Sequence, residues 1–304
     1  MAQRRILLLG SRGQLGHALS RSLAPLGDIT TPTREQCDLY DPGAVLRLLE
    51  RARPDCIVNA AAYTAVDAAE HHPALAMQLN ASLPALLAEA AGRTGAWLVH
   101  YSSDYVYSGR QTTPYTETDA TEPLNTYGRS KIAGDQAVAQ HPRHLILRTG
   151  WVFHRHGANF LRTILKRARQ QTRLQVVDDQ LGAPNSAELV AAVTAHALHD
   201  VWRDLGAPGL YHVASQGQTS WYGYACHLLT EAGRHGLPLR CSAEAIQPIS
   251  SQVLSRLAAR PAYAVLDTTR LCDTFGLSMP PWQVGVSQVV QDLIRLEAAA
   301  AGVA

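Results

Sequence analysis

At 304 residues the chain is long enough for two domains, or for one nucleotide-binding domain with a large extension. Apolar residues make up 46% and charged residues 17%, which suits a packed globule and argues against disorder, and the formal charge of +2 is too small to imply nucleic acid or an anionic membrane as partner. Five scattered cysteines (Cys37, Cys56, Cys226, Cys241, Cys272) without a C-x-x-C read as thiols in a reducing compartment, and the apolar run that stops at Gly10 is too short for a signal peptide or a membrane span, so a cytoplasmic location is expected.

Ile6-Leu-Leu-Leu9 reads as a parallel strand buried on both faces. It runs into Gly10-Ser-Arg12-Gly13-Gln14-Leu15-Gly16 and an apolar-periodic helix over 15–23. Strand, glycine turn and helix in this order supply what a dinucleotide pyrophosphate needs: a tight turn, close backbone approach and free N–H groups at a helix start. A second strand over 29–31 ends in Thr31-Pro-Thr33-Arg34, with no carboxylate to accept from a ribose 2′-hydroxyl. Hydroxyls plus Arg34 favour a 2′-phosphate, hence NADPH, with NADH as the alternative. Asp38-Leu39 lies where an adenine edge would be met.

A helix over 41–51 is expected with Asp41 as N-cap and Pro42 at its first position. The third strand, 56–58, ends in Asn59-Ala60-Ala61-Ala62-Tyr63-Thr64, small residues that let a cofactor lie close. Helices over 66–70 and 74–92 follow, the second with Asn80 inside as a further cofactor candidate. The fourth strand, 96–100, leads into Tyr101-Ser102-Ser103-Asp104-Tyr105-Val106-Tyr107, hydroxyls placed to bond a substrate oxygen. An irregular rim is expected over 108–124.

The helix over 125–139 carries Tyr127-Gly-Arg-Ser-Lys131, a phenol and an ammonium on one face. A fixed positive charge beside a phenol favours phenolate, which predicts that Lys131 lowers the Tyr127 pKa. Such a phenol can pass a proton to a carbonyl oxygen as hydride reaches the carbon. A fifth strand is expected over 144–148, with Trp151 just beyond it. Later elements are a helix over 159–170, a strand over 174–177, a helix over 187–202, a strand over 210–213, short helices from 219 onward, and a closing helix over 281–299 with a frayed alanine-rich end. Thirteen histidines show no metal-ligand spacing, so no metal site is expected.

Strands alternating with helices at this spacing mean a doubly wound, Rossmann-like parallel sheet, an α/β fold with a smaller mixed α/β C-terminal domain. The expected division is 1–149 plus a return over 176–213 for the dinucleotide domain, and 150–175 plus 214–304 for a substrate domain. Glycine fingerprint, strand-end hydroxyls and Y-x-x-x-K together resemble the extended short-chain dehydrogenase/reductase superfamily. Within it, the runs Asn59-Ala-Ala-Ala-Tyr-Thr-Ala-Val-Asp67, His100-Tyr-Ser-Ser-Asp-Tyr-Val-Tyr107, Pro123-Leu-Asn-Thr-Tyr-Gly128, Arg148-Thr-Gly-Trp-Val152, Asp179-Gln-Leu-Gly-Ala-Pro184 and Gly209-Leu-Tyr-His212 are similar to the dTDP-4-dehydrorhamnose reductase family.

That resemblance implies an NAD(P)H-dependent reductase of a nucleotide-sugar ketone, with Tyr127 as proton donor, Lys131 on the nicotinamide ribose and Ser103 polarising the ketone. It implies substrate contacts from Asp104, Tyr105, Trp151 and Arg260, and cofactor contacts from residues 13–15, 38–39 and 62–64. Where members often read Arg-Pro-Ala-Asn-Ser, this chain has Tyr263-Ala264. Some members bridge a homodimer through Mg²⁺ with a first-helix carboxylate. Here that turn reads His17-Ala18-Leu19, so no metal is carried over, while sheet edges and the last helix leave a homodimer open. The alternatives are another nucleotide-sugar reductase or an epimerase of the superfamily, or a non-catalytic subunit resembling the regulatory subunit of methionine adenosyltransferase.

Overall fold

The computed structural model describes residues 4–301. β1 (Arg4–Leu9) turns into α1 (Gln14–Ser22); β2 (Gly27–Thr30), α2 (Pro42–Ala52) and β3 (Cys56–Asn59) follow. Short α3 (Val66–His71) and α4 (Pro73–Met77) lead through a π turn (Gln78–Ser82) into α5 (Leu83–Thr94), then β4 (Trp97–Ser103), α6 (Thr126–Val138) and β5 (His144–Thr149). Beyond lie β6 (Val152–Phe153), α7 (Phe160–Gln170), β7 (Leu174–Val177), β8 (Leu181–Gly182), β9 (Asn185–Ser186), α8 (Ala187–Val201) and β10 (Gly209–His212). The chain ends with β11 (Thr219–Ser220), α9 (Trp221–Arg234), β12 (Ile246–Ile249), α10 (Thr269–Phe275) and α11 (Trp282–Ala301).

Six strands form one parallel sheet in the order β10-β5-β4-β3-β1-β2. The chain winds outward from β1 to β2 and then returns across β1 to β3. In open α/β sheets the crevice at such a reversal is where ligands bind, at the carboxyl ends of the strands. Leu7, Leu8 and Leu9 are fully buried because both faces of β1 are covered. One face packs on α1 and α8, the other on α2 and α5.

A second core joins Phe153, Leu161, Ile164, Leu165, Val176, Tyr224, Leu228, Ile246 and Val286, from α7, β7, α9, β12 and α11. Two expected boundaries move. β7 does not return to the main sheet: it pairs in parallel with β12, some seventy residues later, and its side chains join the second core. The return to the sheet begins with α8. Conversely, α10 lies within the stretch assigned to the C-terminal domain, but Leu271, Phe275 and Met279 bury against Tyr211 and α8 in the first core. The region after 219 also holds a helix of 14 residues, α9, rather than only short ones. Helix α11 continues to Ala301, past the expected end. No helix among the described residues is long and apolar enough to cross a membrane.

Candidate active site

Gly10 (φ 77°) turns the chain from β1 toward α1. A β-carbon on Gly16 would stand 2.1 Å from the Gly10 carbonyl oxygen, so only glycine lets the helix come this close to the turn. Helix α1 starts at Gly13 with no side-chain cap and no acid in its first turn. Its orphan N–H groups and the positive end of its dipole are therefore free for an anion. Beside it, a cavity of about 240 Å³ is lined by Gly10, Arg12, Thr33, Arg34, Asp38 and Leu39. An open helix end next to a cavity flanked by two guanidiniums can hold the anionic phosphates of a dinucleotide. Tyr40 and Leu79 also line this cavity and were not expected.

The other cofactor candidates divide. Gln14 accepts from the Asn159 amide at 2.9 Å, tying the glycine turn to the N-cap of α7. Leu15 packs against the first core. Ala61, Ala62, Tyr63 and Thr64 form the loop at the carboxyl end of β3. Asn80 is fully buried in the π turn, and its amide is used up by protein partners. It accepts from Tyr63 N–H (2.8 Å) and donates to the Tyr63 carbonyl (3.0 Å) and to Ser130 Oγ (2.9 Å). Asn80 thus holds the 61–64 loop through the Tyr63 backbone and ties it to α6 through Ser130.

Asn125 caps α6 by accepting from Gly128 N–H at 2.8 Å, and its amide also donates to the Ala259 carbonyl at 2.7 Å. The cap fixes where the helix starts, and so aims Tyr127 and Lys131 at the carboxyl end of β4. Lys131 is buried, with Nζ donating to the Tyr101 carbonyl at 2.6 Å. Burial lowers its pKa to about 8 against the opposing pull of Asp135. Tyr127 is half-buried, edge-on to Tyr105 with ring centroids 5.7 Å apart.

The expected acidification of Tyr127 is not what the geometry produces. Burial pushes its pKa upward, the neighbouring Ser103 hydroxyl eases it back, and the charges of Asp104, Tyr105 and Asp135 raise it further. The Lys131 ammonium donates to the Tyr101 carbonyl and not to the phenol, so it does not offset the burial of Tyr127. In this state Tyr127 keeps its proton, which is the form a donor requires.

Sequence reasoning missed what stands behind this face. Asp135 follows Lys131 by four residues, the same spacing that separates Tyr127 from Lys131, and that periodicity was a readable signal. Its carboxylate accepts from Ser102 Oγ at 2.7 Å and from Arg148 Nε at 3.0 Å, all buried. Arg148 in turn donates to the Tyr107 hydroxyl (2.8 Å), which meets His212 Nε2 at 2.7 Å. The buried Asp135 and Arg148 charges are paired through Oδ2, and the network holds the ends of β4, β5, β10 and α6 in register.

A second cavity, of about 460 Å³, is lined by Tyr105, Phe160, Arg167, Trp221, Arg256 and Arg260, among others. Arg260 is clamped by Asp67 through two bonds of 2.6 and 3.1 Å, which holds the Asp67 carboxyl down at about 2. Trp151 has a positive φ of 48°, rare for a bulky residue, and Asn185 fixes that turn through Gly150 and Trp151 backbone oxygens. Its ring stacks on Trp221 at 3.5 Å, and Trp221, rather than Trp151, lines the cavity. Asp104, expected to touch the sugar, is buried beneath Ser103. Tyr263 turns into the rim core near Tyr115 and donates to Gln218 at 3.2 Å.

A doubly wound sheet with a dinucleotide crevice, a strand-end serine and a tyrosine–lysine face on the following helix defines an NAD(P)-dependent oxidoreductase of the short-chain dehydrogenase/reductase type. Residues 4–295 match the family model described as "RmlD substrate binding domain". The dTDP-4-dehydrorhamnose reductase of Shigella flexneri is 42% identical over 96% of this chain and 99% of its own, and that of Salmonella typhimurium is 43% identical over 95% and 97%. The crystal structure of the Bacillus anthracis dTDP-4-dehydrorhamnose reductase in complex with NADP superposes with a TM-score of 0.88 at 30% identity, covering 96% of this chain and all of that one. The chain belongs to this reductase family.

Proposed function

We propose that the chain reduces the C4 ketone of dTDP-4-dehydro-β-L-rhamnose to dTDP-L-rhamnose, with NADPH preferred over NADH. The reading is carried by one observation: Ser103, Tyr127 and Lys131 meet at the carboxyl end of β4, the same edge of the parallel sheet from which the glycine turn leaves β1. A bound reduced nicotinamide supplies the hydride. Tyr127 delivers its proton to the oxygen on which negative charge develops, and the Ser103 hydroxyl is placed to donate to the same oxygen. Lys131, anchored on the Tyr101 carbonyl, keeps a positive charge behind the phenol as that proton leaves. Arg167, Arg256 and Arg260 suit the diphosphate of the sugar nucleotide, with Phe160 and Trp221 as aromatic walls. Arg12 and Arg34 together favour the 2′-phosphate of NADPH.

The test is a cofactor-absorbance assay on addition of a dTDP-4-keto-6-deoxyhexose. One NADPH should be consumed per sugar, and Tyr127→Phe should lower kcat by about 10²–10⁴-fold. An epimerase would turn over without consuming added NADPH. Sugar conversion with no NADPH consumed, or a Tyr127→Phe variant at near-normal rate, would reject the assignment.

A further inference from the structure

Lys131 carries its charge in a poor place for one. It is 1% exposed, and among the described residues its Nζ donates to one oxygen, the Tyr101 carbonyl at 2.6 Å. A carbonyl supplies a dipole but no charge, and burial by itself drives a lysine toward the neutral amine. One helical turn on, Asp135 brings a carboxylate to the same face of α6. The two do not touch. The His100 ring stands between them, its Nε2 3.5 Å from Lys131 Nζ and 3.7 Å from Asp135 Oδ1.

The neighbours fix both the carboxylate and the ring. Ser102 Oγ and Arg148 Nε donate to Asp135 Oδ2, at 2.7 and 3.0 Å, which favours the ionised acid and holds its direction. Asn59 Oδ1 takes the Ala61 N–H, and that turns the Asn59 amide nitrogen toward His100 Nδ1 at 3.4 Å. Burial and the Lys131 charge both keep His100 neutral. The cluster therefore gathers two buried cations, Lys131 and Arg148, around one carboxylate. We infer that Asp135 is a positioning residue for the reduction: across the neutral His100 ring it keeps Lys131 cationic while Tyr127 gives up its proton. This role rests on the reductase reading above and adds to it the group that holds the lysine's charge in place.

Facing Lys131 are the Tyr101 carbonyl and His100 from β4, Tyr127 and Asp135 from its own helix, and Arg148 from β5 behind the carboxylate. Of these, Asp135 alone brings a negative charge. Burial lowers Lys131 and Asp135 raises it, which together leave it at about 8. Burial in turn raises Asp135, and Arg148, Lys131 and the Ser102 hydroxyl ease it back. A lysine lowered from its usual range is cationic below its folded value and neutral above it. Removing the group that raises that value strips the charge at a lower pH. An opposite charge within about 4–6 Å moves a group by about 1–3 units; with His100 between and Arg148 sharing the carboxylate, about one unit is expected here.

The chain contains two lysines, Lys131 and Lys166, so the charge can be read directly. In protein labelled with ¹³C at the lysine ε-carbon, two resonances are expected, and Lys166→Arg assigns them. The Lys131 midpoint should lie near 8 in the wild type and about one pH unit lower in Asp135→Asn. Asp135→Glu keeps the charge and should keep the higher midpoint. Because Asp135→Asn strands the Arg148 guanidinium, Asp135→Asn/Arg148→Gln removes both ends of that pair and should show the same fall. Turnover follows the titration: with saturating NADPH, the ratio of variant to wild-type kcat should drop about tenfold between about pH 6 and pH 9. A Lys131 midpoint that neither asparagine variant moves, or that Asp135→Glu lowers equally, overturns the inference. So does a midpoint that falls while the kcat limb stays in place. The titration needs no substrate. If the wild type turns over no 4-keto sugar nucleotide, the reductase reading falls, and the Lys131 midpoint alone decides whether Asp135 holds its charge.

Discussion

Replacing Asn80 by alanine tests how the cofactor loop and the catalytic helix are joined. The side chain makes three hydrogen bonds, two to the Tyr63 backbone and one to Ser130. They do not count equally. Ser130 Oγ already donates to the Tyr127 carbonyl at 2.7 Å, so losing Asn80 strands only a lone pair there. The Tyr63 N–H and C=O lose their partners, but Tyr63 is half-buried and water can recover part of the loss. With about 1–3 kcal/mol for an unsatisfied buried group, discounted for that access, the cost is about 2 kcal/mol in stability. In a chain of this size that is a fall of roughly 3 °C in melting temperature. The same loosening frees the loop at 61–64, which must then be ordered when cofactor binds. We expect the NADPH dissociation constant to rise about tenfold, or about 1.4 kcal/mol. Calorimetric titration with NADPH, alongside thermal unfolding with and without it, reads both effects. A lower melting temperature with unchanged cofactor affinity would refute the coupling and leave Asn80 a structural residue only.

Arg34→Ala should raise the KM for NADPH and leave that for NADH alone, narrowing the preference about 10–100-fold, as expected for one charged hydrogen bond to phosphate. Steady-state kinetics with both cofactors checks it, and an equal loss for both would disprove a 2′-phosphate role. Asp67→Asn releases one arm of the Arg260 clamp at the substrate cavity, so the KM for the sugar nucleotide should rise several-fold, roughly 3–10, while kcat holds. A fall in kcat without a change in KM would place Arg260 elsewhere in the reaction.

Local signals in the sequence translated directly into structure. The β1–turn–α1 unit, the Asp41 cap on α2 and the helix carrying Tyr127 and Lys131 depend on neighbours within a few residues, and they stand where expected. The π turn at Asn80 was not legible, because the helical pattern continues on both sides and the insertion answers to Tyr63 and Ser130, 17 and 50 residues away. The partner of β7 could not be read for a similar reason: a four-residue apolar strand fits the main sheet or a second one equally well, and β12 decides it from afar. Trp151 was placed near a sugar by motif. Its stacking on Trp221 depends on where α9 starts, which the local sequence pattern after residue 219 does not mark. Asp104 was placed near the sugar by the same route, and only the glycine at 150 reveals that its carboxyl turns inward.

The direction of the reaction ties the Tyr127 result to chemistry. Sequence spacing alone suggested that Lys131 would favour the phenolate. The fold instead gives Lys131 a carbonyl partner and surrounds the phenol with low-dielectric walls and negative groups, so the protonated form is favoured. A reductase needs that proton at the moment hydride arrives, whereas the reverse oxidation needs a base in the same place. The two directions should therefore respond oppositely to pH. Reduction should lose rate as pH rises through about 8, where Lys131 gives up the charge that supports the departing proton, because a lysine lowered from its usual range is cationic only below its folded value. Oxidation of the dTDP-hexose product with oxidised cofactor should instead gain rate as pH rises toward that value, because the small phenolate fraction of a phenol with a raised pKa grows about tenfold per pH unit, and should level off above it as Lys131 loses its charge. Initial rates in both directions, each with saturating cofactor, give the comparison. Parallel pH profiles would show that Tyr127 does not carry the transferred proton, and the donor would have to be sought elsewhere on the β4 end.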